Sequence, residues 1–199
     1  MIGVGGSGKQ TLARLAAFIS SLSVFQIQLK RGYSLNDMQL DLSNLYMKVG
    51  LKNMASVFLM SDAQIPNESV LMLVNDMLAS GEIPDLFTDD QFESIVNGVR
   101  NEVKQTGTLD TKENCWRFFI EKVRRLLKAV LCFSPVGPTL RIRARKFPAI
   151  ISRTSIDWFH EWPKSALESV SKKFLSEIDV LPASIFVFLD NNSLNFPFC

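Results

Sequence analysis

Seven residues near the start of the chain, Gly3-Val4-Gly5-Gly6-Ser7-Gly8-Lys9, follow the pattern G-x-x-x-x-G-K. A helical pattern begins immediately after them, with apolar Leu12, Leu15, Ala16 and Ile19 at helix spacing. Glycines in such a loop let successive backbone N–H groups turn inward around an anion. Lys9 extends a compact positive charge toward the same place. A helix starting at Gln10 adds its N-terminal dipole. Gly3, Gly5, Gly6, Ser7, Gly8, Lys9, Gln10 and Thr11 are therefore the candidate phosphate-binding residues. A glycine turn before a helix with no ligand is the alternative, and the helix at the required place weighs against it. Position 10 departs from the pattern, because a Ser or Thr hydroxyl should stand there as a Mg²⁺ ligand. Gln10 offers only a longer carbonyl arm, and Thr11 lies about 100° further round the helix. Phosphate binding is thus better supported than metal placement.

An anion-binding loop of this kind needs an acid at the end of a neighbouring strand to hold Mg²⁺. The apolar run Ala55–Met60 ends in Ser61-Asp62, about fifty residues downstream. Asp62 is the candidate metal-holding acid; a turn-capping aspartate after a core strand is the other reading. A water-polarising Glu is expected directly after it. The chain has Ala63 there, then Gln64, which can orient water but is a poor base. Binding with weak or absent hydrolysis is the expectation.

The rest of the chain reads as helices alternating with short apolar strands, an α/β layer pattern. Strands are predicted at Ser23–Leu29, Ala55–Met60 and Ala129–Phe133, with an extended segment over 139–145 and another short strand over 149–154. Asn36 and Asp37 are candidate caps for a helix over 38–49 carrying Met38, Leu42, Leu45 and Val49 on one stripe. Asn67 opens a helix that Gly81 stops. Thr88 with Gln91, and Asp110 with Glu113, are capping-box patterns. Pro163 suits the first turn of a helix reaching about residue 178.

Composition bounds the function classes. The 199 residues are 47% hydrophobic and 21% charged, globular rather than disordered proportions. Three cysteines and one histidine share no metal-ligand or redox spacing, which fits a reducing compartment. The N-terminus lacks the pattern of a signal peptide, and no apolar stretch is long enough to span a membrane. The net charge of +2 hides a block at 117–146 with nine Lys/Arg and one acid. No aromatic platform interleaves with that block, so nucleic acid is not the expected partner. Arg141, Arg143 and Arg145 alternate; on a strand they share one face, turned to phosphates, to an acidic neighbour or to water. Asp157, His160 and Glu161, set among aromatics, read as packing or capping rather than metal binding.

The succession of segments resembles the fourth AAA+ module of axonemal dynein heavy chains. The resemblance is carried by the loop running on through Gln10-Thr11-Leu12-Ala13-Arg14-Leu15-Ala16-Ala17-Phe18-Ile19, by Phe25-Gln26-Ile27 and Tyr33, and by Phe58–Ile65. It continues through Cys132-Phe133-Ser134-Pro135-Val136-Gly137, Leu140–Pro148 and Ile156–Pro163. It covers roughly residues 2–179, and Gln10 in place of the hydroxyl belongs to it. It implies a P-loop NTPase of the AAA+ type, a three-layer α/β sandwich on a parallel sheet. The large subdomain would span residues 1–162 and the helical lid would start at 163–179, followed by a divergent apolar tail at 180–199. It implies truncation before the strand leading into the loop and within the lid.

The resemblance also implies ATP or ADP with Mg²⁺ as cofactors. Ser134 falls where a phosphate sensor is expected, and Arg145 is the arginine offered to an adjoining module's nucleotide. Asp62, Gln64, Ser134 and Arg145 are thus the candidate catalytic positions. Partners would be the other AAA+ modules of the heavy chain, with intermediate and light chains and microtubules reached only through the full motor; no membrane is implied. The setting would be cytoplasmic and cytoskeletal, in the ciliary axoneme. A free-standing P-loop enzyme and a non-catalytic interaction module stay open as alternatives.

Overall fold

The strand Ser56–Ser61 (β3) is buried at every position, and the sheet is built around it. A computed structural model describes residues 1–176. Before β3 come Ile2–Gly3 (β1), Lys9–Ile19 (α1), Ser23–Gln26 (β2) and Leu35–Lys52 (α2). After it come Ser69–Ala79 (α3), Asp89–Gln105 (α4), Lys112–Leu126 (α5) and Leu127–Cys132 (β4). Thr139–Lys146 (α6), Ala149–Ser152 (α7), Trp158–Phe159 (β5) and Lys164–Ser176 (α8) complete the order. The chain divides into two units at His160 and Glu161; the second contributes α8 to the described residues.

Strands β2, β3 and β4 pair in parallel in that order, with Phe25, Phe58 and Ala129 in register. Successive side chains of β3 face opposite ways. Phe58 and Met60 join a large core with Met38, Leu42 and Tyr46 of α2 and Phe119 of α5. Leu59, on the other face, packs with Ala13 of α1 and Cys132. Helices thus cover both faces, giving the three-layer α/β arrangement of a P-loop NTPase. The stripe Met38, Leu42, Leu45 and Val49 is buried as its spacing predicts.

β1 is short but well anchored. Ile2 N–H donates to Asp157 O at 2.8 Å, Gly3 N–H to Phe133 O at 3.1 Å, and Phe133 N–H to Met1 O at 3.0 Å. It pairs in parallel with β5 and bridges to Phe133 just beyond β4. Among the described residues no strand pairs with β4 along residues 127–130 on this side. A groove of about 400 Å³, lined by Met1, Leu127, Ala129, Ile150 and Ile156 among others, runs there.

Several local expectations are corrected. Residues 139–145 are helical, not extended: Pro138 leads in with φ −80°, and Leu140, Arg143 and Phe147 form an i, i+3, i+7 stripe against the body. The alternating arginines therefore do not share a face; Arg141 and Arg145 are exposed one turn apart, and Arg143 turns inward. The segment 149–154 contains the short helix α7, whose Ala149 N–H donates to Asn75 Oδ1, since a brief apolar run does not distinguish helix from strand. Helix α2 starts earlier than expected: Ser34 is its cap, and Asp37 closes the capping box. Helix α5 is capped by Thr111, because Asp110 is drawn to Arg100 and Lys104. In α1 the small Ala13 and Ala17 face the sheet, while Leu12, Leu15 and Ile19 are exposed. The residue-178 helix end and the 180–199 tail lie outside the described residues.

The basic block is partly consumed inside the fold. Lys122 of α5 is buried and pairs with Glu102 of α4 at 2.7 Å. Removing the carboxylate would leave a buried ammonium without its counter-charge. Glu102→Gln is expected to destabilise the chain by about 1–3 kcal/mol, below the loss at a fully enclosed pair because Glu102 is partly exposed. Lys122→Met, which removes the buried charge itself, is expected to cost less. Urea unfolding followed by circular dichroism checks the order of the two variants.

Candidate functional site

The loop Val4–Gly8 joins β1 to α1 and sits beyond the carboxyl ends of the parallel strands. Gly8 is the N-cap of α1 with φ 81°, a left-handed conformation that costs glycine little. No side chain caps this helix and no acid occupies its first turn, so its leading N–H groups are left for another acceptor. Gly3 is held by close approach, since a Cβ there would stand 2.7 Å from Phe159 Cβ and O. The loop is thereby pressed against β5.

Lys9 opens α1 and folds back over the loop. Its Nζ donates to Gly3 O at 2.6 Å, Val4 O at 2.7 Å and Ser7 Oγ at 3.0 Å, which uses all three ammonium protons. Ser7 Oγ–H in turn donates to Val4 O. The loop is closed on its own lysine, and an incoming anion must exchange for these contacts.

Across the cavity stands Asp62, at the end of β3 and the start of a single 3-10 turn, Asp62–Gln64. Oδ2 accepts from Ser134 N–H and Oδ1 from Arg143 Nη1, each at 2.6 Å. Lengths this short mark charge-assisted bonds. Gly5, Gly6, Ser7, Gly8, Lys9, Gln10 and Thr11 line one side of a cavity of about 560 Å³, and Ser61, Asp62, Ala63, Cys132 and Ser134 line the other. That is within the size range of small-molecule sites, roughly 300–1,000 Å³. Burial pushes the Cys132 thiol above its ordinary pKa, so a neutral group floors the cavity.

The sequence-predicted residues fall into three groups. The loop, Asp62 and Ser134 converge on the cavity, although Ser134 meets Asp62 through its backbone N–H. Gln64 sits beneath it with its amide engaged: Oε1 accepts from Ser61 N–H and Oγ–H and from Gln26 Nε2, and Nε2 donates to Ile27 O. Gln10 is drawn sideways, its Oε1 accepting from Gln26 Nε2 at 3.4 Å. Arg145 is exposed on α6 and does not line the cavity. The Arg143–Asp62 pair was not anticipated, since its partners lie 81 positions apart. The Gln64 contacts had a signal: Ser61-x-x-Gln64 is a capping-box spacing.

The donor set fits a phosphate-bearing ligand: a glycine loop, an uncapped helix start and a lysine meet at one cavity. A divalent ion at Asp62 would share a carboxylate that already accepts from Ser134 N–H and Arg143 Nη1.

The chain matches known proteins along most of its length. The family model described as P-loop containing dynein motor region D4 matches residues 1–187. "Dynein beta chain, ciliary" of Heliocidaris crassispina is 64% identical over 185 residues, covering 93% of this chain and 4% of that relative. "Dynein axonemal heavy chain 9" of Homo sapiens is 58% identical over 185 residues, again 93% and 4%. "Dynein beta chain, flagellar outer arm" of Chlamydomonas reinhardtii is 53% identical over 178 residues, 89% and 4%. The chain thus spans about 4% of the length of these relatives. With a family match over nearly the whole chain and a phosphate-type loop at the carboxyl ends of parallel strands, this chain belongs to the P-loop-containing dynein motor region D4 family.

Proposed function

We propose that this chain is the nucleotide-binding part of a regulatory AAA+ module within a dynein heavy chain, and that it holds ATP or ADP at the loop. The observation that carries this reading is the convergence of the glycine loop, Lys9 and Asp62 on one cavity. Backbone N–H groups of residues 5–9 would receive phosphate oxygens, and Lys9 would give up its loop carbonyls to contact the outer phosphates. Bound Mg²⁺ would neutralise charge on those oxygens. Asp62 is the residue of this chain placed to orient its water ligands, after exchange of its contacts to Ser134 and Arg143; Gln10 offers a longer carbonyl arm, and Thr11 lies about 100° further round the helix. Ser134 would sense the terminal phosphate from the opposite side.

Turnover is expected to be slow. Ala63 leaves no carboxylate beside Asp62, and Gln64 has its amide committed to Ser61, Gln26 and Ile27. A site that binds and hydrolyses little acts by occupancy, which suits a regulatory role. The relatives' names place dyneins in cilia and flagella. By that likeness this chain works in the cytoskeleton of the axoneme, within a motor that moves along microtubules. The neighbouring AAA+ modules are its immediate partners, and exposed Arg145 is the residue offered to an adjoining nucleotide. Intermediate and light chains belong to the full motor.

Titration of a fluorescent ADP or ATP analogue tests the site. Lys9→Ala is expected to weaken binding by about 10- to 100-fold, the scale of one charge-assisted hydrogen bond. Unchanged affinity in a variant with the wild-type circular dichroism spectrum contradicts the assignment. For hydrolysis, Ala63 is exposed at the cavity wall and leaves room for a longer side chain. Provided Gln10 permits Mg²⁺, Ala63→Glu is expected to raise phosphate release by about 100-fold, the low end of general-base contributions. Fast release by the unaltered chain, lost on Lys9→Ala, contradicts the slow-turnover reading.

A further inference from the structure

Arg143 is the least expected member of the site. It comes from the middle of α6, and its side chain is only 13% exposed. Its guanidinium carbon lies 5.8 Å from the centre of the Phe133 ring, so an aromatic face supports it. Nη1 holds Asp62 Oδ1, while Nε is buried with no hydrogen-bond partner among the described residues. An arginine usually meets a carboxylate with two parallel bonds. Here Ser134 N–H already occupies Oδ2, and the second half of the fork is left over.

This arrangement supplies Asp62 with a full positive charge from within the chain. A divalent ion and a guanidinium compete for one carboxylate, because each is stabilised by the same negative charge and repels the other. Mg²⁺ also demands a near-octahedral set of oxygens and gives up its waters reluctantly. At Asp62 it would share the carboxylate with two donors already in place, one of them cationic. Position 10 does not compensate, since Gln10 is bonded to Gln26.

We propose that Arg143 is a built-in competitor of the divalent ion at Asp62, making nucleotide retention at this loop nearly independent of Mg²⁺. The proposal rests on the nucleotide-binding reading above. Arg143 acts as a positioning residue: it latches Asp62 to α6 in the resting site. A metal-bearing nucleotide would have to release that latch, whereas a nucleotide held through the loop and Lys9 alone would not.

The test measures affinity of the full chain for a fluorescent ADP analogue in excess Mg²⁺ and in EDTA. The wild-type chain is expected to bind with less than about a threefold difference between the two conditions. Arg143→Gln is expected to open a gap of about tenfold or more in favour of Mg²⁺, the scale of one partly buried charge interaction. Arg143→Lys, which keeps the charge but not the planar fork, is expected to lie between them. A wild-type chain that itself binds more than tenfold tighter with Mg²⁺ overturns the proposal without recourse to a variant. So does an Arg143→Gln chain with an unchanged melting curve and an unchanged Mg²⁺ ratio. Lys9→Ala in EDTA separates the two ideas. If it leaves affinity intact, the binding site is wrong; if it abolishes binding while the ratios contradict the latch, only the role of Arg143 is wrong.

Discussion

Asp62 holds together the parts of the chain that form the cavity. One carboxylate takes the N–H of Ser134, which follows β4, and the guanidinium of Arg143, which belongs to α6. It thereby ties the turn beyond one strand and a later helix to the end of the central strand β3. On the opposite wall Lys9 satisfies itself on Gly3, Val4 and Ser7. Both charged groups facing the cavity are hydrogen-bonded within the chain, Asp62 to a cation and Lys9 to neutral oxygens. Ligand entry is then an exchange of bonds rather than the filling of bare charges.

The features legible in the sequence are those decided locally. The loop is recognisable because a phosphate cradle needs glycines and a lysine in a short contiguous run. Strand β3 is recognisable because its residues 57–60 are an unbroken apolar run buried on both faces, and the α2 stripe because its period is unambiguous. The features that escaped depend on partners far along the chain. Arg141, Arg143 and Arg145 have the spacing of a strand face, yet Pro138 and the packing of Leu140 and Phe147 make the segment a helix. The four apolar residues of α1 suggest a buried stripe. Two alanines face the sheet instead, because a small residue lets the helix lie close to Leu59 and Cys132. Asp110 has the spacing of a cap, but two basic side chains of α4 claim it and Thr111 caps the helix.

The same division holds at the site. The loop and Asp62 could be located by type and spacing. What Asp62 is bonded to, and what Gln64 is spent on, emerged only from the fold. These contacts are the physical basis for proposing occupancy rather than turnover at the site. An acid bonded to arginine, a glutamine engaged by Ser61, Gln26 and Ile27, and an alanine in place of a general base are what support the proposed slow turnover. In the proposed role, such a module would influence its neighbours by being filled or empty, provided the two states differ in free energy of contact with them. Exposed Arg145, on the same helix as Arg143, puts the latch and the outward-facing arginine on one rigid element.

Nucleotide is proposed to be held at this loop. Hydrogen–deuterium exchange of the full chain with and without ADP tests it most directly. Binding is expected to slow exchange of the backbone amides of residues 5–11, with smaller changes at residues 61–63 and 134. Protection confined to another part of the chain, with residues 5–11 unchanged under saturating nucleotide, would contradict it.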